Sequence, residues 1–249
     1  MGPLTPDSPL AALPARLDRD QAMFLDGMRY SVEMTDLAYT RLRNCLYRVA
    51  VGQREGKSYT PALPTALLDA WSMVDNLHRF RELLQQMRGI KQRSADVQLF
   101  LRRSAKIEDL RNGVQHLPTE IRDLRAANLT VWGVLHWFVL WEVEGRGKAN
   151  AYALIAGSVD TATLGPVATD DRAVQAPIDL ITLDAHGSAV CLSDMWRALA
   201  EYVAGFEAIL RPQFAGMPLA KRDLLATWTI DFPDGVTEVP DPNTGASHS

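Results

Sequence analysis

The residues best suited to chemistry in this sequence lie in one short stretch, residues 111–116, which reads Arg-Asn-Gly-Val-Gln-His. The imidazole of His116 can take or give a proton near neutral pH. The planar guanidinium of Arg111 can hold two oxygens of a phosphate group at once. Metal-free RNA cleavage needs such a proton transfer, and it needs a cation that stabilises the negative charge developing on the phosphoryl group. We therefore take Arg111, Asn112 and His116 as the candidate catalytic residues.

The spacing of these residues predicts that they do not share one side of a helix. At about 100° per residue, with Ile107 taken as zero, the apolar stripe of this stretch centres at about 340°. Arg111 then lies at about 40°, on the edge of the stripe, and His116 at about 180°, facing away from its own core. Asn112 precedes His116 by four residues, so its amide can orient the imidazole. A second protomer that presents the same face across a two-fold axis would supply the group that one protomer lacks.

An arginine that is followed by a polar residue and, after four to six residues, by a histidine resembles the signature of the HEPN ribonuclease superfamily. The resemblance covers the helical core, about residues 18–125 and 193–212. It implies a bundle in which the motif lies near the end of the third helix and two protomers face each other across it. We therefore expect a mainly α fold, an HEPN-like four-helix bundle with a small antiparallel β-meander inserted between helices 3 and 4.

The same resemblance implies a function. It points to a metal-independent endoribonuclease that uses no cofactor and cleaves RNA through a composite dimeric Arg/His site. It also implies a homodimer, a role as a toxin or defence effector, and an antitoxin or regulatory protein as partner. The sequence contains no phosphate-binding glycine loop, Cys-x-x-Cys pair or His-Glu-x-x-His motif. The alternative is a non-catalytic HEPN-like nucleotide-binding or protein-interaction dimer module.

Three histidines outside the motif have a structural and a functional interpretation. His78, with Asp75 three residues earlier, could line a cavity beside the motif, although a core histidine is the commoner case. His136 and His186 have no nearby partner residues in the sequence, and we interpret them as structural.

Two further sets of side chains suit nucleic acid. Aromatic rings at residues 132, 137 and 141, all tryptophans, could stack on bases. Their alternation with other bulky apolar residues favours the core of a sheet instead. Basic side chains one to two turns before the motif could contact phosphates, or they could simply be solvated. This second set consists of Arg102, Arg103 and Lys106.

The elements that must position the motif follow from the spacing of apolar residues. Helical periodicity appears in four segments, at about residues 18–51, 65–87, 94–117 and 193–210. Ser193 is expected to cap the last of these helices. Pro118 is expected to end or kink the third helix and Pro212 to close the fourth, because proline lacks the N–H that a helix interior needs.

Between the third and fourth helices the pattern changes to that of strands. We expect strands at 130–143 and 151–159, and a hairpin of 178–183 and 189–192 that turns through 185–188. These strands form a β insertion at about 129–192 within a single domain, residues 18–230. A disordered tail is expected at 1–17 and a mostly disordered tail at 231–249.

The charges are divided unevenly along the chain. Residues 1–129 carry 19 basic and 15 acidic side chains, and residues 130–249 carry 7 basic and 15 acidic ones. A polyanion would therefore contact the N-terminal half, unless that half is an ordinary solvated surface. Two cysteines cannot form a disulfide framework, no signal peptide is evident, and the most apolar run is too short to span a bilayer. We expect a cytoplasmic protein with no membrane contact.

Overall fold

A computed structural model of the chain describes residues 2–115, 117–127, 129–143, 146–157, 174, 176–220 and 223–228. Its first element is helix α1, Arg19–Arg54, which begins where the carboxylate of Asp18 accepts hydrogen bonds from two backbone N–H groups. A short 3-10 turn at Thr60–Ala62 leads into α2, Leu63–Gln86. Both helices were predicted, and these predictions are confirmed.

Helices α1 and α2 run antiparallel and form the centre of the core. Gly27 lies against Leu83 near one end of the pair, and the thiol of Cys45 contacts the carbonyl of Ala62 near the other end. The side chains between them are apolar and fully buried, among them Met28, Leu42, Leu46, Met73 and Leu77. The motif-bearing segment packs against the outer side of α2.

The predicted third helix is interrupted, and the expectation of one continuous helix is wrong. Helix α3 spans Ala95–Arg103 and helix α4 spans Ala105–Gln115, with Ser104 between them. The Ser104 hydroxyl is buried, donates a 2.7 Å hydrogen bond to the carbonyl of Phe100 and accepts a 2.6 Å bond from Arg81. The backbone leaves regular helical angles at Ser104, with φ −97° and ψ 10°, although the apolar stripe continues across the break.

A further helix follows the motif. Helix α5 spans Leu117–Ala126, and Pro118 is its second residue. Proline is tolerated there because the N–H groups of a first helical turn have no partner within the helix. With α5 in place, the sheet lies after the fifth helix and not between the third and the fourth. The expected four-helix bundle with an inserted meander is therefore wrong, and the described residues form six α-helices and a four-stranded sheet in an α+β arrangement.

The sheet is antiparallel throughout, as expected, with strand order β2-β1-β3-β4. Its strands are β1 (Val134–Val143), β2 (Arg146–Ile155), β3 (Ile178–Ala185) and β4 (Ser188–Cys191). The predicted hairpin is confirmed, and its turn residues His186 and Gly187 both have positive φ, +53° and +72°. This turn projects the His186 side chain toward the motif-bearing helix.

The last helix, α6, spans Leu192–Phe214. Ser193 does not cap it, because its hydroxyl instead accepts a 3.0 Å hydrogen bond from the backbone N–H of Ile181 in β3. Pro212 does not end it either, since it lies in the exposed final turn, where one lost backbone bond costs little. None of the helices within the described ranges is long and apolar enough to cross a membrane.

The first residues of the chain pack on the helical core. Leu10 and Leu13 are fully buried, and their segment pairs through the backbone with the residues that follow α6. The N–H of Ala15 donates to the carbonyl of Pro218 at 2.8 Å, and the N–H of Ala220 donates to the carbonyl of Leu13 at 2.9 Å. The two ends of the helical core are therefore joined by hydrogen bonds.

Candidate functional site

The motif-bearing helix α4 lies antiparallel to α2. Arg111 of α4 contacts Asp75 of α2. Glu108, one turn earlier in α4, contacts Arg81, which lies later in α2. The candidate site is the strip of side chains between these two helices and the β3–β4 turn.

Arg111 lies beside a carboxylate of α2. Its Nε lies 3.6 Å from Oδ1 of Asp75, which is beyond hydrogen-bond distance, so the contact is electrostatic. The other oxygen of Asp75 is 2.6 Å from Arg79, four residues along the same helix. One carboxylate thus bridges two guanidinium groups. The Arg111 side chain is 30% exposed, which leaves it accessible to a ligand from solvent.

His78 lies one turn from Asp75 and is buried. Burial lowers the pKa of His78 below its ordinary value; Glu82 opposes this shift, and the nearby Arg111 adds to it. Its Nδ1 lies 3.4 Å from Oε2 of Glu82 without hydrogen-bond geometry. The lowered pKa favours the neutral form of the His78 imidazole, which lies within electrostatic range of Arg111. Its burial fits the interpretation of His78 as a core histidine, and its electrostatic interaction with Arg111 puts it beside the motif helix.

Arg81 positions α4, and this role was not predicted. It is buried and donates to the carbonyl of Leu101 at 2.6 Å, to the hydroxyl of Ser104 at 2.6 Å and to Glu108 at 3.3 Å. It therefore ties α2 to the α3–α4 break. The sequence does contain a signal, because Arg81 interrupts the apolar stripe of α2 between Leu77 and Leu84, and an ionised side chain on such a stripe needs partners.

The glycine within the motif allows the β3–β4 turn to approach α4. A Cβ atom built on Gly113 would lie 2.7 Å from Cγ of His186, closer than real side chains approach. The His186 ring also meets the ring of Trp71 edge to face, at 6.3 Å between centroids. The Trp71 indole N–H donates to the carbonyl of Trp132 at 3.1 Å. His186 therefore joins the sheet to the motif helix, and the interpretation of it as a structural residue fits these contacts.

The structure brings together only part of the predicted catalytic set. Arg111 contacts α2, as its predicted place on the edge of the apolar stripe indicates. Asn112 is exposed. His116 lies outside the described residues. Its role and its orientation by Asn112 remain predictions.

The other candidates for nucleic-acid contact divide between core and surface. Trp137 is buried and stacks on Tyr152 at 5.3 Å, as the sheet-core interpretation expects. Trp141 stacks on Tyr47 at 5.9 Å, with the guanidinium of Arg54 4.4 Å above its ring. Trp132 precedes β1 and is largely exposed.

The basic residues before the motif are solvated or paired. Arg102 and Lys106 are exposed, and Arg103 pairs with Glu201 of α6. Among the residues that the structure describes, no three His, Cys, Asp or Glu side chains are grouped so that they could hold a metal ion.

Comparison with known proteins finds no relative of this chain. No family model matches the chain, and neither a curated protein nor a solved structure matches it.

Proposed function

We propose that this protein is a metal-independent endoribonuclease in which Arg111 supplies the cation, His116 the proton transfer and Asn112 the orientation of the imidazole. The observation that carries the proposal is the setting of Arg111: a partly exposed guanidinium whose Nε lies 3.6 Å from Oδ1 of Asp75 on a neighbouring helix, followed directly by the exposed Asn112. A cation fixed before substrate arrives stabilises developing charge without reorganisation. The resemblance of the motif to HEPN ribonucleases supports the same assignment.

The proposed reaction is an internal transfer at phosphorus. The 2′-oxygen of the RNA forms a bond to phosphorus as the bond from phosphorus to the 5′-oxygen breaks. The proton of the 2′-hydroxyl leaves to a base and a proton reaches the 5′-oxygen from an acid, so a 2′,3′-cyclic phosphate and a 5′-hydroxyl result. Imidazole can serve in either role near neutral pH, and Arg111 would bind the non-bridging phosphate oxygens.

A homodimer forms part of this proposal. The spacing of the motif, at about 100° per residue, predicts that His116 and Arg111 face different directions, so a composite site needs the same motif from a second copy. The proposal also includes a toxin or defence role, an antitoxin or regulatory partner and a cytoplasmic location. The role and the partner rest on the motif resemblance, and the location rests on the presence of RNA in the cytoplasm.

One observation favours a second candidate function, a non-catalytic nucleotide-binding or protein-interaction dimer module. Asp75 already opposes the charge of Arg111 and thereby links α2 to α4. An arginine used in this way can be purely structural. This alternative predicts no cleavage by the wild-type protein and a partner that still binds after substitution of the motif.

The test is cleavage of a fluorescent single-stranded RNA by the full chain in the presence of EDTA. Arg111→Ala and His116→Ala should each reduce the rate by a factor on the order of a hundred, and Asn112→Ala by less. Arg79→Ala is the matched control, because Arg79 contacts the same carboxylate from a more exposed position. DNA of the same sequence should survive, since it lacks the 2′-hydroxyl. Loss of activity in EDTA, or full activity of His116→Ala, would contradict the assignment.

A further inference from the structure

Trp132 is exposed near the motif, and the interpretation of it as part of the sheet core is wrong. It lies in the turn directly before β1, and 47% of its surface is accessible to solvent. Burial of so large an aromatic side chain would stabilise the fold, so the exposed ring gives up that gain. A single exposed apolar side chain is nevertheless common on a protein surface, and its surroundings decide what Trp132 can do.

The backbone at Trp132 is held by α2 and by β3. The indole N–H of Trp71 in α2 donates to the carbonyl of Trp132 at 3.1 Å. The next residue, Gly133, has φ +81°, and a Cβ atom built on it would lie 2.6 Å from Cβ of Ala185 in β3. Neither contact uses the indole ring of Trp132. The position of this residue is therefore fixed while its ring stays accessible.

The β3–β4 turn joins this position to the motif. Ala185 packs against Gly133, and the next residue, His186, packs against Gly113 in the middle of the motif. A Cβ atom at either glycine would overlap the turn. Successive residues of one turn thus contact the loop that carries Trp132 and the helix that carries the motif. The two surfaces therefore lie side by side.

Helix α2 connects the same two surfaces a second time. Trp71 precedes Asp75 by four residues, so the two side chains are neighbours on one side of α2, about 6 Å apart along its axis. Asp75 contacts Arg111, with 3.6 Å between Oδ1 and Nε, and Trp71 bonds to Trp132. One helical turn and two side-chain contacts therefore separate the proposed phosphate contact from the exposed ring. A few nucleotides of a single strand span such a distance.

A cation and an exposed aromatic ring are the two elements of a single-strand binding site. Proteins that bind single-stranded nucleic acid combine basic side chains along the backbone with aromatic rings on which bases stack. Here the guanidinium groups of Arg79 and Arg111 share the one carboxylate of Asp75, which leaves one positive charge in excess among these three side chains. The charge alone selects no partner. The ring beside it favours a strand whose bases are unpaired.

We propose that Trp132 stacks on a base of a single-stranded RNA whose scissile phosphate lies at Arg111. This inference rests on the proposed function for its substrate, and it names the class of that substrate: a single strand with an unpaired base a few nucleotides from the cleaved bond. In duplex RNA the bases are paired and stacked on one another, so they cannot reach the ring. Every base has an aromatic face, and Trp132 therefore favours single strands without reading a sequence.

The first experiment measures binding and does not depend on cleavage. The probe is a fluorescein-labelled single-stranded RNA with 2′-O-methyl groups throughout, which keeps the bases and phosphates but removes the nucleophile. Its Kd for the full chain is measured by fluorescence anisotropy in EDTA. Trp132→Ala should raise the Kd roughly tenfold or more, as loss of one base–ring contact does, and Trp132→Phe should retain most of the affinity.

Two controls accompany this measurement. Trp228→Ala removes a still more exposed tryptophan, 81% accessible, from the segment after α6, and it should leave the Kd unchanged. A duplex of the same sequence should bind with a Kd that Trp132→Ala does not change. The bond from Trp71 reaches the backbone carbonyl of Trp132, so the alanine variant keeps it and should fold. Equal binding of the single strand by the wild type and Trp132→Ala would overturn the proposal.

The second experiment removes the base instead of the ring. Single abasic nucleotides are placed in turn along the probe, with every phosphate retained. At one position the loss of affinity should match that of Trp132→Ala, and the two changes together should weaken binding no more than either alone, because they remove the two halves of one contact. Losses that multiply at every position would show that the ring and the bases do not meet.

The remaining outcomes separate this contact from catalysis and from self-association. A wild type that cleaves no RNA but binds the probe through Trp132 would contradict the ribonuclease proposal and support the stacking contact. A wild type that cleaves RNA with no loss of rate or affinity in Trp132→Ala would do the reverse. In sedimentation velocity Trp132→Ala should have the same mass as the wild type. A lower mass would show that a second copy covers the ring, and it would overturn the proposal, as would a wild type that does not bind the probe.

Discussion

Gly113 and His186 touch so closely that the glycine cannot carry a side chain. A Cβ atom added to Gly113 would lie 2.7 Å from Cγ and 2.8 Å from Cβ of His186. His186 has little freedom to retreat, because it occupies a turn with φ +53° and meets the ring of Trp71. The middle of the motif thus serves to join α4 to the sheet.

Gly113→Ala should therefore destabilise the fold although alanine is the better helix former. Overpacking at the His186 ring should outweigh the helix-propensity gain and lower the free energy of unfolding by about 1–2 kcal/mol. Gly205→Ala is the control, since open space surrounds that position and the stability should rise by up to about 1 kcal/mol. Urea unfolding measures both. Equal stabilisation by the two alanines would show that the Gly113 contact is loose.

Arg81→Met should be strongly destabilising. The change keeps the length of the apolar stem but leaves the carbonyl of Leu101 without a buried donor and removes the link from α2 to Ser104 and Glu108. A loss of about 2–4 kcal/mol in the free energy of unfolding is expected. Arg79→Met, an exposed pair with Asp75 on the same helix, should lose less than about 1 kcal/mol. Similar losses of folding free energy in the two variants would show that Arg81 has no special role in positioning α4.

Asp75→Asn should separate catalysis from stability. Asp75 and Arg111 are both partly exposed, so water screens their attraction and the variant should lose less than about 1 kcal/mol of folding free energy. If Arg111 acts on RNA, however, the loss of its anchor should lower kcat/KM by roughly tenfold. Asp109→Asn, on the exposed face of α4, is the control and should change neither quantity. Unchanged cleavage by Asp75→Asn would show that the anchor is dispensable.

Stability should fall on mild acidification because of two buried histidines. Burial lowers the pKa of His78 and of His136 in the folded chain, with Glu82 and Asp184 opposing the respective shifts. The unfolded chain then binds protons more readily than the folded one, so stability is lost as the pH falls below about 6.5, the ordinary histidine value, and is retained above it.

Urea unfolding between pH 7.5 and 5.5 measures this loss. The double variant His78→Gln/His136→Gln should show a shallower dependence on pH than the wild type. An unchanged slope would mean that other groups titrate in this range.

Local periodicity predicted α1, α2, α6 and the region of the sheet because burial repeats every turn or every second residue. The stripe of Val97, Phe100, Ile107 and Leu110 is buried as expected, although two helices carry it. The break between them could not be predicted, since it depends on a hydrogen bond from Arg81, which belongs to another helix. The position of the sheet was missed for a different reason: Pro118, which was expected to end or kink the third helix, also lies in the first turn of a further helix.

The site was predictable only where it depends on helix geometry. The place of Arg111 at the edge of the apolar stripe follows from residue spacing alone, and its contact with α2 agrees with that place. The contact of Arg111 with Asp75 could not be predicted, because residue spacing within each helix does not show how two helices align. In the sequence Asp75 stands out only as a neighbour of His78. The contact of Gly113 with His186 joins a helix to a distant hairpin, so no local pattern could reveal it.

The hydrogen bonds between the first and last parts of the core have a consequence for synthesis of the protein. Leu10 and Leu13 leave the ribosome early, whereas Pro218 and Ala220, which hold their segment in place, leave it about two hundred residues later. At ordinary elongation rates this delay is roughly ten to forty seconds. During that time the segment that carries these two buried leucines lacks the backbone partners of Leu13 and Ala15. A nascent chain stalled before residue 218 should therefore bind chaperones through the segment of Leu10 and Leu13, and release of the full chain should end that binding.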